Sequence, residues 1–309
     1  MDQLALAMTE RSDPMSATTP AIEMGAYEYL WLHPPSGSSA TSKSILKIFE
    51  NCPGALPSDF VSESDALRYS QQVFSNLGRT GFEGFGVRVK GISDYPDSLK
   101  SAHHQIPLLY FKGCWDLCWK PKRIAVVGTR LPSANGIKRA RQLVRKLADN
   151  DYTILSGLAK GIDTIAHETA LMLGAPTIAV IGTPIDEAYP KENKLLQEKI
   201  AQEGLVISQV PFLLHGNRSW RWNRMFFPER NETMSALSDA TVIVEAGDTS
   251  GTLIQAKAAL KQGRKVFILA SNFENPAIKW PAALEKKGAI RVVSIESILQ
   301  VLRHDSKAA

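Results

Sequence analysis

Cysteine is scarce in this chain. Three residues, Cys52, Cys114 and Cys118, among 309 are too few and the wrong parity for a disulfide-stapled secreted scaffold. Cys114 and Cys118 stand four apart with no further ligand completing a metal set beside them, so no metal is expected. Long apolar runs are also missing. Nothing approaches the ~20 residues a bilayer span requires. The start, Met1-Asp2-Gln3, is not basic, and Leu4 to Met8 is too short for a signal core. A cytoplasmic protein without membrane contact is the expectation. The strand Ile124 to Val127 leads into Gly128-Thr129-Arg130 and not into Gly-x-Gly-x-x-Gly. That absence argues against a nicotinamide or flavin enzyme, and no cofactor is expected.

Acidic residues are sparse in one part of the chain. Residues 1–120 carry 10 Lys/Arg and 13 Asp/Glu, whereas residues 121–309 carry 26 and 18. A basic excess confined to one region favours a polyanionic partner over a generally solvated surface.

The length suits one large or two ordinary domains. Residues 1–22, rich in Ser, Thr and Pro and without periodicity, read as a flexible arm. Residues 23–90 hold short helical patterns, Ser44 to Glu50 and Asp65 to Leu77, and read as a small helical domain. Gly78 to Gly91, with five glycines, reads as a linker or irregular hairpin. Across 91–309 the pattern changes. Apolar runs at Leu108–Phe111, Ile124–Val127, Thr153–Leu155, Thr177–Ile181, Val206–Ser208, Thr241–Val244, Val266–Leu269 and Ala289–Val292 alternate with helical patterns. In Ala134–Asp149, Ala140, Leu143, Val144, Leu147 and Ala148 form one apolar stripe opposite Lys138, Arg139, Arg141, Arg145 and Lys146. Such alternation predicts an α/β fold, a mostly parallel Rossmann-like sheet with helices on both faces.

In such sheets ligands bind beyond the carboxyl ends of the strands. Four glycine-bearing turns fall there: Gly128-Thr129-Arg130, Ser156-Gly157 through Lys160-Gly161, Gly182, and Ser250-Gly251-Thr252. A strand passing through glycine into a helix start offers backbone N–H groups and the positive end of a helix dipole to an anion. Arg130 adds a guanidinium able to grip phosphate with two bonds. Lys191, in the first turn of a helix opened by Pro190, sits where the dipole disfavours a cation unless an anion binds there. The stretch from Arg218 to Asn231 interleaves Arg218, Arg221, Arg224 and Arg230 with Trp220, Trp222, Phe226 and Phe227. Such a loop suits phosphates and stacked bases, and equally a protein interface. Asp163 and His167, four apart, read as a cap and a packed histidine, because no nucleophile stands beside a base. No catalytic residue is expected.

Taken together and in order, these motifs resemble the DprA/Smf family of DNA-processing proteins. The landmarks are Asp94-Tyr95-Pro96, Ile106 to Tyr110 with Lys112-Gly113, and Val127 to Arg130. They continue through Ser156 to Asp163 with Ala166-His167, Tyr189 to Asn193, Phe227-Pro228 with Arg230-Asn231, Val244-Glu245-Ala246, and Ser250 to Thr252. The resemblance spans about residues 92–293. It implies an extended Rossmann-like fold, single-stranded DNA as ligand, a homodimer, and a RecA-type recombinase as partner in natural transformation. It places Arg130 and Lys191 on phosphates with Arg230 and Asn231 beside them. Glu232 stands where the family usually has a second Arg, and Gln255 where it usually has Thr; the winged-helix tail of many members is not expected.

Two other readings stand beside this one. One is a divergent member serving as a nucleotide-binding sensor. The other is an enzyme similar to the lysine-decarboxylase-like phosphoribohydrolases of nucleoside monophosphates. Their catalytic Glu would fall on Gln255, and an amide serves as neither carboxylate base nor nucleophile.

Overall fold

A computed structural model describes residues 20–34, 41–92, 94–100, 106–216, 223–248, 250–275 and 278–305. Among these described residues nine strands form one sheet: β1 (Gly86–Val89), β2 (Leu108–Gly113), β3 (Arg123–Val127), β4 (Thr153–Ser156), β5 (Thr177–Ile181), β6 (Leu205–Ser208), β7 (Ala240–Ile243), β8 (Lys265–Leu269) and β9 (Ile290–Val292). Their spatial order is β1-β2-β6-β5-β4-β3-β7-β8-β9. The seven strands from β6 to β9 run parallel, while β2 joins β6 and β1 joins β2 antiparallel. Each of the eight apolar runs is a strand. β1 is the addition, formed by the second half of the glycine-rich stretch.

The parallel strands are buried on both faces, which is why they read as continuous apolar runs without alternation. Opposite faces are nonetheless distinguished residue by residue. Ile124 and Val126 of β3 pack under α5 (Ala134–Ala148), α6 (Ile162–Met172) and α12 (Ile295–Asp305). Ala125 and Val127 face the other way, toward α9 (Phe226–Leu237), α10 (Thr252–Lys261) and α11 (Trp280–Glu285). α5 starts at Ser133, whose hydroxyl accepts from the Gly136 N–H at 3.0 Å, and buries the predicted stripe from Ala140 to Leu147. α9 departs from expectation, since residues 226–231 read as part of a loop. Burial on nearly every side of this helix leaves no amphipathic period to read.

The N-terminal helices α1 (Pro20–Leu32), α2 (Ser42–Asn51) and α3 (Glu63–Thr80) share a core with the sheet. Met24, Tyr27, Leu30 and Trp31 of α1 join Val87, Val89, Leu108, Tyr110, Ala179 and Val206 in one apolar cluster. α1 thus begins at Pro20, inside the stretch read as an arm. α3 ends at Gly81, whose φ of 68° supplies the left-handed cap. Glu28, fully buried on α1, accepts from the Tyr110 hydroxyl at 2.5 Å and from the Phe212 and Leu213 N–H groups at 2.8 and 2.9 Å. Those amides open α8 (Phe212–Gly216), so one carboxylate ties the N-terminal helix to the sheet and to a distant helix start. Burial pushes the Glu28 carboxyl up to about 7 against the pull of these donors.

Candidate nucleic-acid interface

The chain order reverses between β3 and β7. Strands added after β3 extend toward β6, and the chain then returns to lay β7 on the free side of β3. Such a switch point leaves a crevice beyond the strand ends, because neighbouring connections leave in opposite directions. An open crevice of about 750 Å³ lies there. Gly128, Thr129 and Arg130 after β3, and Gly247, Ser250, Gly251 and Thr252 after β7, form one side. Arg224, Phe227, Pro228, Arg230, Asn231 and Met234, on and just before α9, form the other, with Ala159, Asp163 and Tyr189 at the end. A side lobe continues past Arg130, Gly157, Lys160, Pro190 and Phe227.

Hydrogen bonds from separate elements hold the two turns together. The Thr129 N–H donates to the Glu245 carbonyl at 2.7 Å. The Thr252 hydroxyl donates to the Gly128 carbonyl at 3.1 Å, and Asn231 Nδ2 to the Gly251 carbonyl at 3.3 Å. At the first turn of α5, the Glu245 carboxylate accepts from the Ser133 N–H at 2.9 Å and the Ser133 hydroxyl at 2.7 Å, with Arg139 at 3.4 Å. The loop that carries Arg130 is therefore fixed at both ends, while the Arg130 side chain is exposed.

The turn after β4 is built differently from its sequence reading. Ser156 is fully buried and its hydroxyl donates to the Val126 carbonyl at 2.7 Å, away from the crevice. The Gly157 and Ala159 N–H groups, expected to face an anion, donate instead to Asp163 Oδ2 at 3.2 and 3.4 Å. An acidic side chain in the first turn of α6 satisfies these donors internally, as an external anion would otherwise. Glu245 does the same at α5. The helix starts are thus already neutralised, and the cationic side chains at the crevice remain.

Arg230 is the buried one. Nη1 donates to the Val180 carbonyl at 2.7 Å and also to the Gly157 carbonyl. A side chain on residue 157 would collide with this guanidinium, which is the physical reason for glycine there. Desolvation pulls the Arg230 pKa down to about 10, with Asp163 opposing that fall and Arg130 adding to it. Burial raises the Asp163 carboxyl, and Arg230 is the main influence holding it down. The two buried groups feel each other across the Gly157 turn, Arg230 bonding its carbonyl and Asp163 its N–H. His167 lies behind them, fully buried, with Nδ1 2.8 Å from the Thr177 hydroxyl. Desolvation pulls His167 down to about 3, so it is neutral at physiological pH. Among the described residues no group of three His, Cys, Asp or Glu side chains is placed to hold a metal.

Tyr189 to Asn193 meets the β4 turn through Asn193, whose Nδ2 donates to the Leu158 carbonyl and to the Thr164 hydroxyl, both at 2.9 Å. Leu158 sits at φ 58° with its side chain buried, a left-handed conformation that surrounding bonds must hold. Lys160 and Glu192 pair across the rim at 2.8 Å, both largely exposed.

Of the residues singled out in the sequence, Gly128, Thr129, Arg130, Arg230, Asn231, Ser250, Gly251 and Thr252 line the main crevice, and Gly157 and Lys160 its side lobe. Gly161, at φ 80°, caps α6 against the Thr129 carbonyl. Gly182 is buried against Phe227. Lys191 is exposed in a short turn beside Pro190 and is outside the lining set. Arg218, Trp220, Arg221 and Trp222 lie outside the described residues. The structure adds Arg224, exposed at the mouth, and an aromatic pair, Tyr189 and Phe227, with ring centroids 5.4 Å apart. The arginine–aromatic stretch signalled Arg224 and Phe227; nothing local signalled Met234, which reaches the crevice from inside α9.

Residues 87–303 match the model of the DNA recombination-mediator protein A family. DNA processing protein DprA of Bacillus subtilis (strain 168) is 34% identical over 236 residues, which cover 75% of this chain and 77% of that protein. The X-ray structure of DNA processing protein A from Streptococcus pneumoniae superposes with a TM-score of 0.64 at 29% identity, covering 96% of this chain and 95% of that one. A structure of DNA processing protein A from Helicobacter pylori, solved for its single-stranded DNA binding mode, gives 0.60 at 29% identity over 72% and 96%.

Proposed function

The chain belongs to the DNA recombination-mediator protein A (DprA/Smf) family, and from that premise we propose that it binds single-stranded DNA in the crevice between β3 and β7. The observation that carries this reading is the composition of the crevice. Exposed Arg130 and Arg224 stand beside the Tyr189–Phe227 aromatic pair, above helix starts whose own charge is already satisfied by Asp163 and Glu245. Arginines supply phosphate contacts and aromatic faces accept unpaired bases of any identity. Arg130, Lys160 and Lys191 serve the backbone, with Asn231, Ser250 and Thr252 offering polar side chains to it.

The protein acts without catalysis. Gln255, at the base of the crevice, is 1% exposed, and its amide fits between the Asn231 carbonyl and the Ser235 N–H. It therefore braces α9 against α10 where the phosphoribohydrolases have their Glu. Family membership further supports a homodimer that assists a RecA-type recombinase on strands taken up in transformation. No described helix is long and apolar enough to cross a membrane, and we place the protein in the cytoplasm.

Titration of single- and double-stranded DNA of equal length at several salt concentrations tests the reading. Preference for single strands, with log affinity falling linearly against log salt, is expected. Equal binding of the duplex, or hydrolysis of a nucleoside monophosphate, overturns it. Light scattering at tens of micromolar (roughly where a standard interface holds) reports the dimer.

A further inference from the structure

α5 carries five basic residues and no acid over 15 residues. Two of them are neutralised from other elements, Arg139 by Glu245 at 3.4 Å and Lys146 by Glu296 at 3.4 Å. The other three, Lys138, Arg141 and Arg145, are exposed and form no ion pair among the described residues. They stand at i, i+3 and i+7, which places them on one face of a helix. Arg141 and Arg145 are a like-charged i,i+4 pair, an arrangement that costs an isolated helix a few tenths of a kcal/mol. Solvated helix faces usually relieve that cost by interspersing acids. Here the acids that are present reach the flanking positions and leave the middle stripe unpaired.

The stripe also has a defined place. α5 starts at the loop that bears Arg130, and Glu245 pins that loop to the helix start through Ser133. Beyond Ser133 the helix runs away from the crevice, with its apolar side on β4 and α6. A polymer leaving the crevice past Arg130 meets Lys138, then Arg141, then Arg145. At 1.5 Å per residue these three span about 10 Å, the length of two to three phosphates even at the close spacing of a duplex strand. No aromatic residue lies on this helix, so nothing there stacks on a base.

We propose that the outer face of α5 is a second contact tract for the phosphodiester backbone of a polynucleotide, continuous with the crevice and engaged only by strands long enough to leave it. The proposal rests on the reading of the crevice as a DNA site. It adds that the footprint extends along one particular helix, that this part of it is indifferent to base, and that affinity depends on strand length through Lys138, Arg141 and Arg145.

The test measures fluorescence anisotropy of the full chain with two labelled single strands, of about 4 and about 30 nucleotides, the short one within the smallest site sizes for single-strand binders. The variant carries Lys138→Gln, Arg141→Gln and Arg145→Gln together. For the long strand, three lost contacts lower the log–log salt slope by about 2, which at ~0.1 M salt is roughly a 100-fold loss of affinity. The short strand binds within about twofold of wild type, because the crevice is untouched. Thermal stability holds, since the three side chains are exposed and a repulsive pair has been removed. An unchanged slope for the long strand overturns the tract while leaving the crevice reading intact. Equal losses for both strands also overturn it, because charge at a distance then explains the effect. A wild-type chain that binds neither strand refutes the crevice reading and the tract with it.

Discussion

Arg230→Ala separates a structural arginine from a ligand-binding one. Wild-type Arg230 donates to the Gly157 and Val180 carbonyls from a buried position and stands opposite buried Asp163. Truncation leaves two acceptors without this donor, each costing about 1–3 kcal/mol if unsatisfied. It also removes the positive charge that holds the buried Asp163 carboxyl down. These costs overlap, and the Gly157 and Ala159 N–H groups continue to hold Asp163, so about 4 kcal/mol is expected in total. For a domain of this size that lowers Tm by roughly 8–16 °C. The deficit should depend on pH. Burial already raises Asp163 in the fold, and loss of Arg230 raises it further. A carboxyl raised by folding favours the native state at low pH, and that advantage disappears as pH rises through the folded pKa. The gap between variant and wild type therefore narrows on acidification. In an Asp163→Asn background the Arg230→Ala penalty should shrink by at least about 1 kcal/mol, the coupling expected of groups sharing one hydrogen-bond network. Calorimetry across pH, alongside DNA titration, measures all of this. A variant with wild-type Tm that loses DNA binding refutes the argument, because the guanidinium would then serve the ligand and not the wall.

Arg130→Ala should show the opposite pattern: unchanged Tm, a single-strand salt slope lower by about 0.7, and an affinity loss of roughly 10- to 100-fold from one charge-assisted contact. Arg130→Lys should restore charge but only part of the affinity. Gly157→Ala should destabilise the fold in the same direction as Arg230→Ala, because its methyl enters the space of the guanidinium; a neutral effect in thermal melts would show that the wall yields. Glu28, held at about 7 from an ordinary 4.5, should make the native state more stable below pH ~4.5 and cost about 3 kcal/mol by pH ~7. Glu28→Gln should flatten that slope in urea titrations at several pH values, and a slope equal to wild type would assign the pH dependence elsewhere.

The alternation of apolar runs and amphipathic helices determined the fold class, because buried parallel strands and one-sided helices leave local periodicities in the chain. Gly128-Thr129-Arg130, Ser250-Gly251-Thr252 and Arg230-Asn231, singled out from their places after strands and in the arginine–aromatic stretch, come together along one crevice. What those motifs do was decided by tertiary contacts. Glu245 lies over 100 positions from Ser133, yet it fills the start of α5 that the local sequence offers to a phosphate, whereas Asp163, in the first turn of its own helix, was legible as a cap. Arg230 resembles its neighbours Arg224 and Arg221 in sequence. Only the approach of α9 to the Gly157 turn and to β5 makes it a strut, because a guanidinium taken out of water must spend its donors on whatever carbonyls surround it. α9 itself went unread for a related reason: a helix enclosed on nearly all sides has no polar face to set against its apolar one. Local sequence carries the pattern of burial along each element. Which polar groups find partners, and which are left for a ligand, depends on elements brought together from far apart in the chain.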